Sequence, residues 1–501
     1  AWATVCNTTL GKSITQAPAG VSIPQIYWID GINNAKLNYI DMKLKYSLKE
    51  ILIFQGINVV KSYQKSLFYT LRSPENKIKI ILKLFFYFIK NIISILFFKR
   101  NRNTTNIQIP KRKHILLVNL KQQIQFYEKT INQLDKKKVH VLINSEKINK
   151  ETIIEASNYC KRKELLHSAI DFSTFFAPNK AKHIKELILA FIKILISNSK
   201  LLHKYNSFNF YCNSAAYINT NYIIFSQIKP KSVLLLANEV NPKGHIFTQI
   251  IHKVGGKVIN SMNGIKNRDY RNSDTNFDAW LIWSQSQYDL LTQFNKTPKE
   301  QLFITGHLHA DNIHEFKKKS KVNLPFSTSN YRKTIGVFSQ PYVKGYEANR
   351  DEFLRTVNDF FLKNPDYLGI IKCHPRETIT NIAPFIDLSL PNIQIINGNN
   401  NDKDLLYSII MSSDYSILMY STVAIECLFF DKPVFSFCKK GLDDPLTLSE
   451  NLIPRFSNLN ELEGLLNKAW VPSKHPDHLL YEIGPNDGKN HIRAAQIISQ
   501  L

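Results

Sequence analysis

The sequence predicts an α/β fold built as two consecutive, doubly wound domains. Three observations predict it. At 501 residues the chain is too long for a single hydrophobic core. Short runs rich in Val, Ile, Leu and Phe alternate with amphipathic stretches, the pattern of parallel strands joined by crossover helices. The alternation occurs twice, on either side of a polar, lysine-rich, proline-containing stretch at 316–333 that reads as a linker.

The first set spans 114–315. Strands are expected at 114–118, 139–143, 232–236, 257–259, 279–283 and 302–304, with helices at 121–138, 183–198 and 244–254. The second set spans 330–475. Its expected strands are 334–338, 368–373, 393–396, 415–418 and 433–437, separated by helices at 347–363, 402–411 and 421–430. Residues 476–501 read as a closing helix, and no repeat of fixed period is visible.

Residues 1–110 form an N-terminal extension of another character, with short strands expected at 27–30 and 51–54. The run 77–98, KIKIILKLFFYFIKNIISILFF, is long enough to cross a bilayer but contains Lys79, Lys83 and Lys90. On a helix these lysines and Arg72 share one narrow stripe, and the rest of the circumference is apolar. That pattern favours a helix lying in a membrane interface, with a core helix of a soluble domain and a transmembrane span as the alternatives. The first 150 residues carry 25 Lys and Arg against 7 Asp and Glu, so they hold +18 of the chain's net +25. A basic surplus gathered around apolar sequence suits an anionic membrane surface, contacted through 72–113, and disfavours nucleic acid as the partner. The expected location is cytoplasmic, peripheral on the inner face of the cell membrane. No cleavable signal peptide is expected, because no basic region leads into an apolar run at the N-terminus. Six scattered cysteines without a CxxC pair read as reduced thiols. Gly11-Lys12-Ser13 resembles the end of a phosphate-binding loop, but Cys6 stands where its first glycine belongs.

In doubly wound sheets ligands bind beyond the carboxyl ends of the strands, so the chemistry is sought in the loops there. The strand expected at 368–373 runs into His374-Pro375-Arg376. A histidine at a strand end, fixed by the following proline, suits hydrogen bonding to a phosphate oxygen, with Arg376 in support. The strand at 415–418 runs into Met419-Tyr420-Ser421-Thr422, with a helix expected from Ser421. Two hydroxyls and free amides at a helix start suit an anion, although Ser421 alone would read as an N-cap. Glu426, one turn on, suits ribose hydroxyls or an ordinary carboxylate position.

With these motifs in order, HPRE followed by SDYSILMYSTVAIECLFFDKPVF resembles the nucleotide-binding half of bacterial GT-B glycosyltransferases of surface polysaccharide synthesis. It is similar to the His-Pro and Ser-Ser/Thr motifs of sialyltransferases and polysialyltransferases, and to CDP-glycerol glycerophosphotransferases. The resemblance covers roughly 230–440. It implies two Rossmann-like domains facing a cleft, and a donor-nucleotide site at His374, Pro375, Arg376, Ser421, Thr422 and Glu426. Ile304-Thr305-Gly306-His307 resembles the strand-Thr-Gly turn at the domain junction of those enzymes, which places Gly306 with the donor site. A stretch ending Met262-Asn263-Gly264 has Asn263 where those families often carry histidine.

The implied reaction is inverting transfer of a sugar from a nucleotide donor, CMP-linked by the His-Pro and Ser-Thr pair, to a glycan or lipid-linked acceptor. No metal and no cofactor is expected, since amides and basic groups meet the leaving phosphate's charge. Asp443-Asp444 lies in a proline-containing loop and does not form a convincing metal pair. The general base is sought in the first domain. Glu239, directly after a strand, is the first candidate, and His245 the second. Three alternatives stand beside this reading: a CDP-glycerol-type glycerophosphotransferase, a UDP-GlcNAc 2-epimerase-like enzyme and a basic nucleic-acid-binding protein.

Overall fold

The computed structural model describes residues 53–54, 57–58, 85–86, 88–90, 92–93, 113–118, 121–144, 149–170, 184–185, 187–189, 191–192, 222, 224–236, 242–261, 277–293, 297–319, 322, 324–341, 347–398, 403–440, 448–468 and 471–501. The strand expected at 27–30 lies outside them. So does much of 77–98, whose described residues, between 85 and 93, are helical. No helix among the described residues is long and apolar enough to cross a membrane.

A short antiparallel hairpin, β1 (Ile53–Phe54) and β2 (Ile57–Asn58), comes first. The first large sheet then follows in the chain as β3 (His114–Val118), β4 (Val139–Asn144), β5 (His167–Ile170), β6 (Ser232–Leu236), β7 (Lys257–Ser261), β8 (Ala279–Ile282) and β9 (Leu302–Ile304). All of its pairings are parallel, in the spatial order β5-β4-β3-β6-β7-β8-β9. Among its helices are α1 (Lys121–Gln133), α2 (Lys150–Arg162), α3 (Pro242–Lys253), α4 (Gln285–Gln293) and α5 (Leu308–Lys319).

The second sheet holds β10 (Lys333–Phe338), β11 (Tyr367–Lys372), β12 (Ile393–Ile396), β13 (Tyr415–Leu418), β14 (Val434–Phe437) and β15 (Arg455–Phe456). It is again all parallel, ordered β12-β11-β10-β13-β14-β15. Its connections include α6 (Glu347–Lys363), α7 (Ile379–Ile382), α8 (Lys403–Ser412) and α9 (Val423–Phe429). The chain ends in α10 (Leu459–Leu466), α11 (Pro476–Ile483) and α12 (Asn490–Gln500).

Both sheets reverse their winding beside their first strand. Successive strands add on one side of β3 as far as β5 and on one side of β10 as far as β12, and the chain then crosses over to β6 and to β13. The crevices of the two sheets therefore open between β3 and β6 and between β10 and β13. Every residue of β11 is buried, as a strand covered by helices on both faces requires. One continuous core joins the two halves, running from Phe247 and Trp280 to Phe338, Leu418 and Phe429. Phe316 of α5 reaches the second half, packing 5.4 Å from the Tyr407 ring.

Four details depart from the sequence expectation. The helix expected at 121–138 stops at Gln133, because Asp135 takes φ 67° and Lys136–Lys138 form a separate 3-10 turn. Helix α5 runs to Lys319, four residues into the expected linker, and its terminal lysines suit the negative end of a helix. Strands β5 and β15 lie at sheet edges and are too short or too polar to register in the hydrophobic pattern. The closing segment is two helices, and the second returns to the first half, where Ala494, Ala495 and Ile498 bury against Tyr127 and Ile131 of α1.

Candidate functional site

Lys372, Phe338 and Leu418 lie side by side across β11, β10 and β13, so these three strands end at one level. The loops that leave them are Cys373-His374, Ser339-Gln340 and Met419-Tyr420-Ser421. At the usual strand spacing the outer two stand about 10 Å apart with the β10 loop between them. Position in the sheet thus brings both sequence motifs to one rim, beside the β10–β13 crevice.

His374–Glu377 is a β-turn, closed by the Glu377 N–H donating to the His374 carbonyl at 2.8 Å, with Pro375 at its second position, where a fixed φ is favoured. The turn also sets the imidazole. Arg376 donates its backbone N–H to His374 Nδ1 at 3.1 Å, so Nδ1 is the unprotonated nitrogen and the ring proton sits on Nε2. Burial, helped by Arg376 and Lys372, lowers the His374 pKa, which keeps that neutral tautomer at physiological pH. Gly398 presses on the same turn: a Cβ there would meet the His374 carbonyl oxygen at 1.9 Å, so only glycine permits the approach.

Beneath the turn lies a charged network, most of it outside the sequence motifs. Glu377 is buried, and its Oε1 accepts from Arg350 Nη2 at 2.7 Å and Nε at 3.2 Å. Its Oε2 accepts from Ser339 Oγ at 2.6 Å and from the His374 N–H at 3.2 Å. Arg350, on α6, also donates to the carbonyls of Gln340 (2.9 Å) and Asn381 (3.1 Å). One buried ion pair therefore ties α6, the β10 loop, the β11 turn and α7 together. Tyr420, from the β13 loop, lies within the field of Arg350 and Glu377, and burial pushes its phenol up to about 12, so it stays protonated. A signal for the network was present: Ser339 follows the first strand of its doubly wound unit, a position that borders the crevice in this topology.

The structure revises part of the β13 motif. Helix α9 begins at Val423 rather than Ser421, and it is two turns long. Ser421 Oγ accepts the Val423 N–H at 3.3 Å and so serves the local turn. Thr422 is the N-cap, exposed, with no side-chain cap hydrogen bond. Arg376 is also exposed and makes no ion pair among the described residues. Glu426 is buried: its Oε1 pairs with Lys403 Nζ at 2.9 Å, while Oε2 finds no donor among the described residues.

Gly306 has a packing role at the junction. Its φ is +86°, and a Cβ would fall 2.2 Å from Asn490 Oδ1 on α12. Asn490 in turn donates to the His307 carbonyl at 2.9 Å. Of the candidates in the first half, Glu239 and Asn263 lie outside the described residues, as do Asp443 and Asp444. His245 is placed on α3 by its backbone alone.

The loops at this rim carry a half-buried His374 and exposed Arg376 and Thr422, side chains whose N–H and O–H groups suit an oxyanion. Solved structures share the fold. Over 78% of this chain and 100% of its own length, the UDP-GlcNAc 2-epimerase of Neisseria meningitidis bound to UDP-GlcNAc is similar at a TM-score of 0.52 and 12% identity. The fold is GT-B. Staphylococcus aureus MnaA with UDP is similar over 77% of this chain and 96% of its own (TM-score 0.51, 12% identity). The Methanocaldococcus jannaschii UDP-GlcNAc 2-epimerase in complex with UDP-GlcNAc and UDP is similar over 78% and 100% (TM-score 0.50, 12% identity). No family model and no curated protein matches the sequence. At such identities the likeness establishes the GT-B architecture and not the reaction.

Proposed function

We propose that this chain is a glycosyltransferase that binds a nucleotide-sugar at the β10–β13 rim and transfers the sugar to a glycan or lipid-linked acceptor. The observation that carries the reading is the locked His374 tautomer, which leaves Nε2–H as the ring's one proton on a loop beside the β10–β13 crevice. On this reading His374 Nε2–H, Arg376 and Thr422 receive the donor's phosphate oxygens, and the free Oε2 of Glu426 accepts from the ribose. Their hydrogen bonds strengthen as charge builds on the leaving phosphate, so the reading gives no step to a metal. The acceptor hydroxyl attacks the anomeric carbon, its proton passes to the Glu239 carboxylate, and the sugar–phosphate bond breaks with its electron pair leaving on phosphate. Glu239 is assigned because it follows β6 by three residues in the sequence, and β6 borders the first sheet's own crevice. His245, at the start of α3, is assigned to acceptor binding.

The test is a thermal-shift panel of CMP, CDP, UDP and GDP. One nucleotide should raise the melting temperature. His374→Ala should weaken that ligand by roughly ten- to a hundredfold, the loss of one hydrogen bond to a charged group. Absence of a shift with every nucleotide would overturn the reading. Glu239→Gln should keep nucleotide binding and lose transfer. Recovery of a sugar nucleotide epimerised at C2, in place of free nucleotide and glycosylated acceptor, would assign the epimerase reaction instead.

A further inference from the structure

The described helical residues between 85 and 93 do not stand alone. Phe88 and Ile92 pack onto the first half's core, and the Phe88 ring stacks on Phe191 with centroids 4.1 Å apart and planes 17° from parallel. Phe191 and Leu187 lie buried on a second helical segment, between 184 and 192. Each segment uses one ridge of residues four apart for this contact and leaves the adjoining ridge in solvent. On the first, Phe85, Ile89 and Ile93 are exposed, with Phe86 beside them at 62%. On the second, Ile188, Leu189 and Ile192 are exposed. Phe85 also meets the Phe191 ring edge-on at 5.4 Å, so the two exposed sets border one contact. Seven large apolar side chains on adjoining ridges are thus exposed side by side, the kind of patch that marks an interaction surface.

The charge of the flanking sequence distinguishes between occupants. Between Glu75 and Glu128 the sequence contains eleven lysines and arginines and no acidic residue. Lys90 and Lys185, on the two segments themselves, are exposed. Protein interfaces are depleted of lysine at their cores, whereas a lipid surface with anionic headgroups rewards apolar insertion rimmed by long cations. We propose that the two segments together form a platform that seats the first half on an anionic bilayer, with Phe85, Phe86, Ile89, Ile93, Ile188, Leu189 and Ile192 entering the acyl boundary. This extends the single interfacial helix read from the sequence to a pair fixed by the Phe88–Phe191 stack. It does not depend on the transferase reading.

The test is co-sedimentation of the full chain with vesicles of phosphatidylcholine alone and of equal parts phosphatidylcholine and phosphatidylglycerol. Binding is expected to the anionic vesicles and to weaken with added salt. Phe86→Ser with Ile89→Ser should lower affinity by about tenfold per residue. Ile188→Ser with Ile192→Ser, on the second segment, should do the same, and all four sites are exposed, so folding should be retained. Loss from the first pair only would overturn the platform. So would equal binding to both vesicle types, or a dimer in detergent-free solution that the serine variants dissolve while vesicle binding is unchanged. Nucleotide-induced stabilisation is read separately, so neither result settles the other.

Discussion

The two sheets wind alike but each holds one set of hydrogen-bonded buried side chains, and the two sets lie at opposite ends of their strands. In the first sheet they sit at the amino ends: His114, the first residue of β3, bonds Ser232, the first of β6, at 2.7 Å, and His140, near the start of β4, bonds Ser168 at 3.0 Å. In the second they sit past the carboxyl ends, where Arg350, Glu377, Ser339 and His374 form one network. The amino ends of parallel strands face away from the crevice, so the first set lies remote from it, and the second lies at the candidate site. A buried polar group therefore reads differently according to which end of the sheet holds it.

The comparison breaks most visibly at Glu377. Glu377→Ala removes the nearer carboxylate from the buried Arg350, leaving Asp351 at 3.4 Å, and should cost about 3–5 kcal/mol in urea unfolding, together with the nucleotide shift. A loss under about 1 kcal/mol would mean the network is ornamental to the fold.

The histidine pairs come next. Burial, with nearby Lys231 and Lys138 for His114 and with His167 and Lys113 for His140, lowers each from 6.5 to about 4. Below pH 6.5 the unfolded chain takes up protons that the folded chain refuses, so stability should fall between pH 6.5 and about 4 and stay level from 6.5 to 8. The full effect is on the order of 3 kcal/mol per histidine as an upper bound. Unfolding curves of His114→Asn against the parent chain should show a shallower slope in that window. Equal slopes would remove His114 from the account.

The smallest effect sharpens the β13 loop. Ser421→Ala removes one cap on the Val423 N–H and should cost about 0.5–1 kcal/mol, with nucleotide affinity little changed. A large loss of affinity would return Ser421 to the phosphate.

Much of the architecture was legible because it rests on local pattern. Runs such as ILLV in β3 and LGIIK in β11 are apolar on both faces, and that alone marks central strands of a helix-covered sheet. Edge strand β5, HSAI, carries one buried residue in four and left no such mark. The motif His374-Pro375-Arg376 was legible as a turn, and its neighbour Glu377 was legible only as a letter. What makes Glu377 matter is Arg350, twenty-seven residues away on α6.

By itself the sequence determined the class of fold, the two windings, the basic apolar N-terminal region and the two loops to watch, because periodicity, charge and turn chemistry act between near neighbours in the chain. The tertiary structure alone decided that Gly306 makes room for Asn490, that α12 returns to the first half, that Phe88 stacks on Phe191, and that Arg350 holds the His374 turn. Each of these is a contact between residues distant along the chain. Side-chain pairing across such distances is set by packing and by the need to satisfy buried charge, which no local pattern encodes.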